Sequence, residues 1–121
     1  MENVRIAVIG LDKDETAFIA TAFRYCVNRE IATYESADAF IREHTTAEET
    51  DIVIVACPIG SGDDNSVVTS IRKHSPGVLC IITSDDPSHE ERARLSGADG
   101  FLAKPYTVHD LFAIVDAFIV P

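Results

Sequence analysis

The chain has 121 residues, 46% of them hydrophobic and 25% charged, with ten Lys and Arg against twenty Asp and Glu and a formal net charge of −10. That length suffices for one domain with a packed core, expected to span residues 1–121, and the apolar content excludes a disordered chain. The acidic balance argues against nucleic acid, whose phosphates call for Lys and Arg, and suits solubility or a basic partner protein.

Along the chain, short apolar runs alternate with longer periodic ones, the pattern of strand followed by helix repeated five times. Val4 to Gly10 is predicted as a buried strand, and Asp12-Lys13-Asp14-Glu15 as a turn and an acidic helix start that complements the helix dipole. Phe18, Ile19, Ala22 and Phe23 mark the inner face of a helix running to about Asn28. Glu30 to Tyr34 is a short strand, and Ser36 caps a helix with Ala37, Phe40 and Ile41 as its apolar stripe.

After a Thr45 to Thr50 linker, Asp51 to Ala56 reads as a third strand that ends in the loop Cys57 to Gly62. A helix near Asp64 to His74 is rich in Val, Thr and Ser, so packing must hold it. Val78 to Thr83 is continuously apolar, as a strand covered on both faces should be, and Asp85-Asp86-Pro87-Ser88 opens a helix ending at Gly97. Phe101 to Ala103 is a fifth strand, and Thr107 caps a last helix carrying Val108, Leu111, Phe112, Val115, Phe118 and Ile119. The expected fold is α/β, a doubly wound five-stranded parallel sheet with helices on both faces. Any site should lie at the carboxyl ends of the strands, where the loops after Gly10, Ala56, Thr83 and Ala103 converge.

Two blocks, Ile81-Ile82-Thr83-Ser84 and Gly97-Ala98-Asp99-Gly100-Phe101-Leu102-Ala103-Lys104-Pro105-Tyr106, resemble the receiver domains of two-component response regulators, whose fold is flavodoxin-like. The resemblance implies a hydroxyl and a lysine that hold a phosphoryl group, and Thr83 and Lys104, with Pro105 after it, match that retained pocket. It also implies an aspartate that accepts the phosphoryl group and an acidic pair that holds Mg²⁺ with it. Here Ala56 stands at the acceptor position and Gly10 and Leu11 at the metal positions, so the chain resembles a pseudo-receiver for which neither a cofactor nor Mg²⁺ is expected. Asp12, Asp85 or Asp86, or a water, is expected to neutralise Lys104, because an unpaired buried ammonium costs several kcal/mol.

Phe101 reads as a core aromatic; in the resemblance it takes the place of the aromatic that turns inward or outward on phosphorylation. The face of the fourth helix, fifth strand and fifth helix would carry Arg92, Arg94, Tyr106, His109 and Asp110. Such a face implies protein partners: a histidine kinase, an effector, another domain of a longer chain, or a second copy in a homodimer.

The expected function is therefore a non-enzymatic, phosphorylation-independent signalling and interaction module. The alternative is a divergent receiver phosphorylated on a displaced carboxylate such as Asp12 or Asp63. A flavin or nucleotide protein of similar topology is disfavoured by the acids in Gly10-Leu11-Asp12-Lys13-Asp14-Glu15, and no nucleophile motif accompanies His44, His74, His89 or His109.

Three cysteines, Cys26, Cys57 and Cys80, lack zinc or disulfide spacing and are expected reduced and buried, with Cys57 beside Lys104 a candidate for redox reactivity. The sequence shows neither a secretory start nor an apolar run near the roughly 20 residues of a membrane span, which predicts a cytoplasmic protein. Its end, Phe118-Ile119-Val120-Pro121, fits a stand-alone domain or the first domain of a longer chain.

Overall fold

The structure is a computed structural model that describes residues 5–27, 30–43, 50–56, 64–95 and 97–119. Cys57, the loop it opens, Asp63, His44, and the side chains of Phe118 and Ile119 lie outside the described residues. In chain order the elements are β1 (Ile6–Ile9), α1 (Lys13–Val27), β2 (Ala32–Tyr34), α2 (Ala37–Glu43), β3 (Ile52–Ala56), α3 (Asp64–His74), β4 (Leu79–Ser84), α4 (Glu90–Leu95), β5 (Gly100–Ala103) and α5 (Val108–Ile119), with a 3₁₀ turn at Pro87–His89 before α4.

All neighbouring strands pair in parallel, in the order β2-β1-β3-β4-β5. Strand side chains alternate between faces, so an apolar run with helices on both sides feeds two cores. Ile6, Val8, Ile52, Ile54, Ile81 and Leu102 pack with Ile19, Ala22 and Phe23 of α1 and Leu111 and Val115 of α5. Ala7, Ile9, Val53, Val55, Cys80 and Ile82 pack on the opposite face with Phe40, Val68, Ile71 and Ala93 of α2, α3 and α4. Burying each large aliphatic or aromatic side chain contributes about 1.5–3 kcal/mol, and this is what carries α3 past its weak propensity.

Local signals set the helix ends. The Asp12 carboxylate accepts from the Glu15 N–H at 2.7 Å, and the Ser36 hydroxyl from the Ala39 N–H at 3.1 Å. Thr107 and Asp110 cap α5 reciprocally: the Asp110 N–H donates to Thr107 Oγ1 and the Thr107 N–H to Asp110 Oδ2, both at 3.0 Å. At the end of α4, Gly97 adopts φ +101°, and the Ala98 and Gly97 N–H groups donate to the carbonyls of Ala93 and Arg94 in a Schellman arrangement that a left-handed residue permits.

Three expectations need correction. The fourth helix does not begin at Asp85: Pro87 supports a 3₁₀ turn first, and α4 starts at Glu90. The second strand begins at Ala32 rather than Glu30, on a sheet edge where the hydrophobic drive is weak. Cys26 is exposed on α1, whereas Cys80 is buried, and burial pushes the Cys80 thiol up to about 11.

Candidate functional site

Period-two alternation continues past the strand ends. Gly10 follows Val8, Ala56 follows Ile54, Thr83 follows Ile81 and Lys104 follows Leu102, each two positions beyond a residue of the core under α1 and α5. The register sets Ala56 against Thr83 across β3 and β4, and a Cβ built on Gly10 would lie 3.9 Å from the Cβ of Ala56. Gly10 itself takes φ +71°, a left-handed conformation that glycine adopts freely, as the chain leaves β1 for α1. The sheet thus gathers Gly10, Ala56, Thr83 and Lys104 at its carboxyl end, as the sequence predicts.

The counter-ion of Lys104 is a residue the sequence reading did not select. Lys104 Nζ lies 3.1 Å from Glu15 Oε1, and the hydroxyl of Tyr106 donates to Glu15 Oε2 at 2.5 Å. Glu15 is 8% exposed and reaches inward from the first turn of α1. Burial pulls the Lys104 ammonium down, but the Glu15 carboxylate, with the charges of Asp12 and Asp85, more than offsets it and holds the lysine above its ordinary range. Burial first, and then the Glu15 carboxylate, push the Tyr106 phenol up as well, so it stays a neutral donor.

The three acids expected to neutralise Lys104 are therefore corrected. Asp12 contributes charge while its Oδ1 caps α1, and Asp85 contributes charge only. Asp86 faces its own loop: Oδ1 accepts from the N–H and hydroxyl of Ser88 at 2.9 and 2.7 Å, and Oδ2 lies 3.4 Å from His89 Nε2. Those hydrogen bonds from Ser88, the hydroxyl foremost, hold the Asp86 carboxyl below its usual range. Tyr106 turns its hydroxyl inward to Glu15 and packs its ring edge-on to Phe18 with centroids 5.7 Å apart, while it also lines a groove along the β5 edge.

A signal for Glu15 was present in the sequence. It stands four positions before Ile19 and seven before Ala22, on the apolar face of α1, and an acid on a buried stripe requires a cation. The fold also brings a serine, a histidine and an aspartate together: Ser84 Oγ lies 2.8 Å from His89 Nδ1, whose Nε2 is the nitrogen facing Asp86. Ser84 is 5% exposed and its hydroxyl already accepts from the Asp86 N–H, so this cluster orders the loop after β4.

Thr83 is 1% exposed, and among the described residues its hydroxyl has no hydrogen-bond partner. Lys104 and Pro105 are joined by a cis peptide bond. The residues present do not fit Mg²⁺. Gly10, Leu11 and Ala56 offer no carboxylate, Leu11 packs against the core, and Asp12 is engaged at the helix cap, whereas this ion is held by one or more carboxylates with its waters.

Beside this cluster an open groove of about 450 Å³ runs along the β5 edge, lined by Phe101, Ala103, Tyr106, Asp110, Ala113 and Ile114 among others. Phe101 is half-buried against the core beneath α2, α3 and α4. The Asp110 carboxyl is held below its usual range, first by the Thr107 N–H and then by the Thr107 hydroxyl. His109 is exposed, and Arg94 forms an ion pair with Glu90 along α4. Among the described residues no helix is long and apolar enough to cross a membrane.

No protein-family model and no curated protein matches the sequence. Solved structures do. The chain superposes on a response regulator from Thermotoga maritima with a TM-score of 0.78, at 16% identity over 98% of this chain and 99% of that one. The BeF₃-activated DrrB receiver domain gives 0.77 at 18% identity over 98% of each chain. The chemotaxis protein CheY4 of Vibrio cholerae gives 0.76 at 12% identity over 95% and 98%. The chain therefore has the flavodoxin-like fold of response-regulator receiver domains, a five-stranded parallel sheet wrapped by five helices.

Proposed function

We propose that this chain is a two-component signalling module that takes no phosphoryl group and acts through protein contact. The observation that carries this reading is the identity of the groups at the carboxyl end of the sheet. The residue set against Thr83 is Ala56, whose methyl group cannot form an acyl phosphate, and Lys104 directs its ammonium to Glu15. Near that lysine stand Glu15, Asp12 and Asp85, a field that disfavours an incoming phosphoryl donor.

Contact is assigned to the face of α4, β5 and α5, where the groove offers two aromatics, aliphatic carbons and the Asp110 carboxylate, a mixture suited to a protein partner. A histidine kinase, an effector or a second copy of the chain are the partner classes this reading allows. Neither a cofactor nor Mg²⁺ is part of it.

Incubation with acetyl phosphate or beryllofluoride in Mg²⁺, followed by intact mass and amide NMR, tests the first half. The expected result is an unchanged mass and an unchanged spectrum. A stoichiometric, hydroxylamine-labile mass gain on Asp12, or on Asp63 outside the described residues, would establish the displaced-acceptor alternative instead. For the second half, Tyr106→Ala and Asp110→Ala should weaken partner docking or self-association in sedimentation. Intact association in both variants removes this face from the reading.

A further inference from the structure

The groove wall and the buried charge cluster share a side chain. Tyr106 lines the groove, while its hydroxyl donates to Glu15, a residue 91 positions earlier in the chain. The same carboxylate faces Lys104 through its other oxygen, and its side chain is 7% exposed. We propose that Glu15 is the positioning residue of the docking groove: it seats Tyr106 from behind and takes the counter-ion role that Ala56 leaves open. This rests on the docking reading above and adds what fixes the shape of that surface.

The physical case has three steps. Ala56 presents no charge from β3, so the nearest counter-ion that Lys104 can reach comes from α1. The ammonium in turn makes a buried carboxylate tolerable, since an ionised acid out of water is strongly disfavoured without a partner. That carboxylate is then the strongest acceptor available to a half-buried phenol, and a charge-assisted bond at 2.5 Å outweighs a bond to neutral oxygen. Phe18, one helical turn after Glu15, closes the seat by meeting the Tyr106 ring edge-on.

The consequence is coupling between pocket and groove. Whatever draws Glu15 or Lys104 away loosens the Tyr106 wall, and by linkage whatever displaces Tyr106 from the groove side weakens the hold on Lys104. Among the described residues the charged groups around Lys104 are Glu15 and Asp12 from α1 and its cap and Asp85 from the loop after β4, and of these Glu15 alone touches both Lys104 and Tyr106.

The test uses the whole chain with ¹³C-labelled Lys, Tyr, Ala and Ile. Glu15→Ala should lower the Lys104 titration midpoint and shift the Tyr106 ring and the Ala113 and Ile114 methyl signals. Glu15→Gln should lower the Lys104 midpoint similarly while leaving the Tyr106 ring near its wild-type position, because an amide oxygen still accepts its proton. Asp14→Asn, on the exposed neighbour, should move neither reporter. Tyr106→Phe should shift the groove methyls and keep Lys104 paired.

A folded Glu15→Ala protein with unmoved Tyr106, Ile114 and Lys104 signals overturns the proposal. If that variant does not fold, Glu15→Gln with an unmoved Lys104 midpoint, together with Tyr106→Phe with unmoved groove methyls, overturns it equally. A phosphoryl mass gain would defeat the earlier reading with these NMR couplings intact, whereas absent couplings without any mass gain defeat the Glu15 assignment alone.

Discussion

Among the described residues two ion pairs tie distant parts of the chain together, and they are finished to different standards. Near the start of β4, Arg72 of α3 pairs with Asp99, and the same Asp99 oxygen accepts from the Cys80 N–H at 2.9 Å. The Asp99 N–H returns a bond to the Cys80 carbonyl at 2.8 Å, so this junction satisfies its polar groups locally. At the carboxyl end, Lys104 and Glu15 approach within 3.1 Å, yet Glu15 Oε1 receives no well-directed hydrogen bond and Thr83 Oγ1 has no partner among the described residues. Buried polar atoms without hydrogen bonds cost stability, so among the described residues the two ends differ in how completely their polar groups are satisfied.

The comparison breaks most visibly at alkaline pH. The Cys80 thiol, raised by burial from 9.0 to about 11, keeps its proton in the folded chain over a range where the unfolded chain loses it. Folded protein then binds more protons than unfolded protein. Stability is therefore full below pH 9 and falls by about 2–3 kcal/mol as pH rises toward 11, since each pKa unit corresponds to about 1.4 kcal/mol. The raised Lys104 acts with the same sign at higher pH, its contribution being lost as pH passes its folded pKa. Urea titrations at several pH values should show this slope, and Cys80→Ala should flatten its lower part.

Asp99→Ala strips both Arg72 and the buried Cys80 N–H of their acceptor. A loss of about 2 kcal/mol is expected, most of it from the unsatisfied amide, because both ionic side chains are about a third exposed and solvent screens their attraction. Arg72→Met, which leaves Asp99 its amide donor, should cost less, and equal losses would contradict this apportioning. Ala56→Asp sharpens the other side of the comparison. It adds a carboxylate to a neighbourhood already holding Glu15, Asp12 and Asp85, so about 1–2 kcal/mol should be lost at neutral pH and regained in the double variant with Glu15→Gln. Phosphorylation should not appear in Ala56→Asp, because Gly10 and Leu11 still lack metal-binding oxygens.

The two ends also differ in how far the sequence revealed them. The fold was readable because periodicity and punctuation agree: continuous apolar runs at Ile52 to Val55 and Leu79 to Ile82 have helices on both faces, and Ser36, Thr107 and Gly97 mark helix ends through local chemistry. Ala56, Thr83 and Lys104 were readable as strand-end positions. What escaped was the direction of side chains between elements. Whether Lys104 meets Asp12 or Glu15 depends on the rotation of α1 about its axis, which the apolar stripe fixes and which points Glu15 inward. Tyr106 looked like a surface aromatic because a polar tip and an apolar ring suit either location, and the deciding acceptor lies 91 residues away. Asp86 beside Pro87 was misassigned because its 3₁₀ turn satisfies the carboxylate locally.

The smallest effect is expected at Thr83, and it is the most discriminating. Thr83→Val keeps the branched shape and removes a hydroxyl that is 1% exposed and without a partner among the described residues. Truncating a hydroxyl that made a hydrogen bond would strand its partner and cost about 1–3 kcal/mol. Truncating one that makes none removes only its desolvation penalty, so stability should stay within about 1 kcal/mol of wild type or rise. The core around it already fits a β-branched side chain, since Thr83 continues a strand whose burial is complete from Cys80 to Ser84. A clear loss in urea denaturation would mean that the hydroxyl is engaged in solution and that the carboxyl end is as fully bonded as the Arg72 junction. A gain would mark Thr83 as a polar group kept in the core at a cost to stability, which selection for folding alone does not account for.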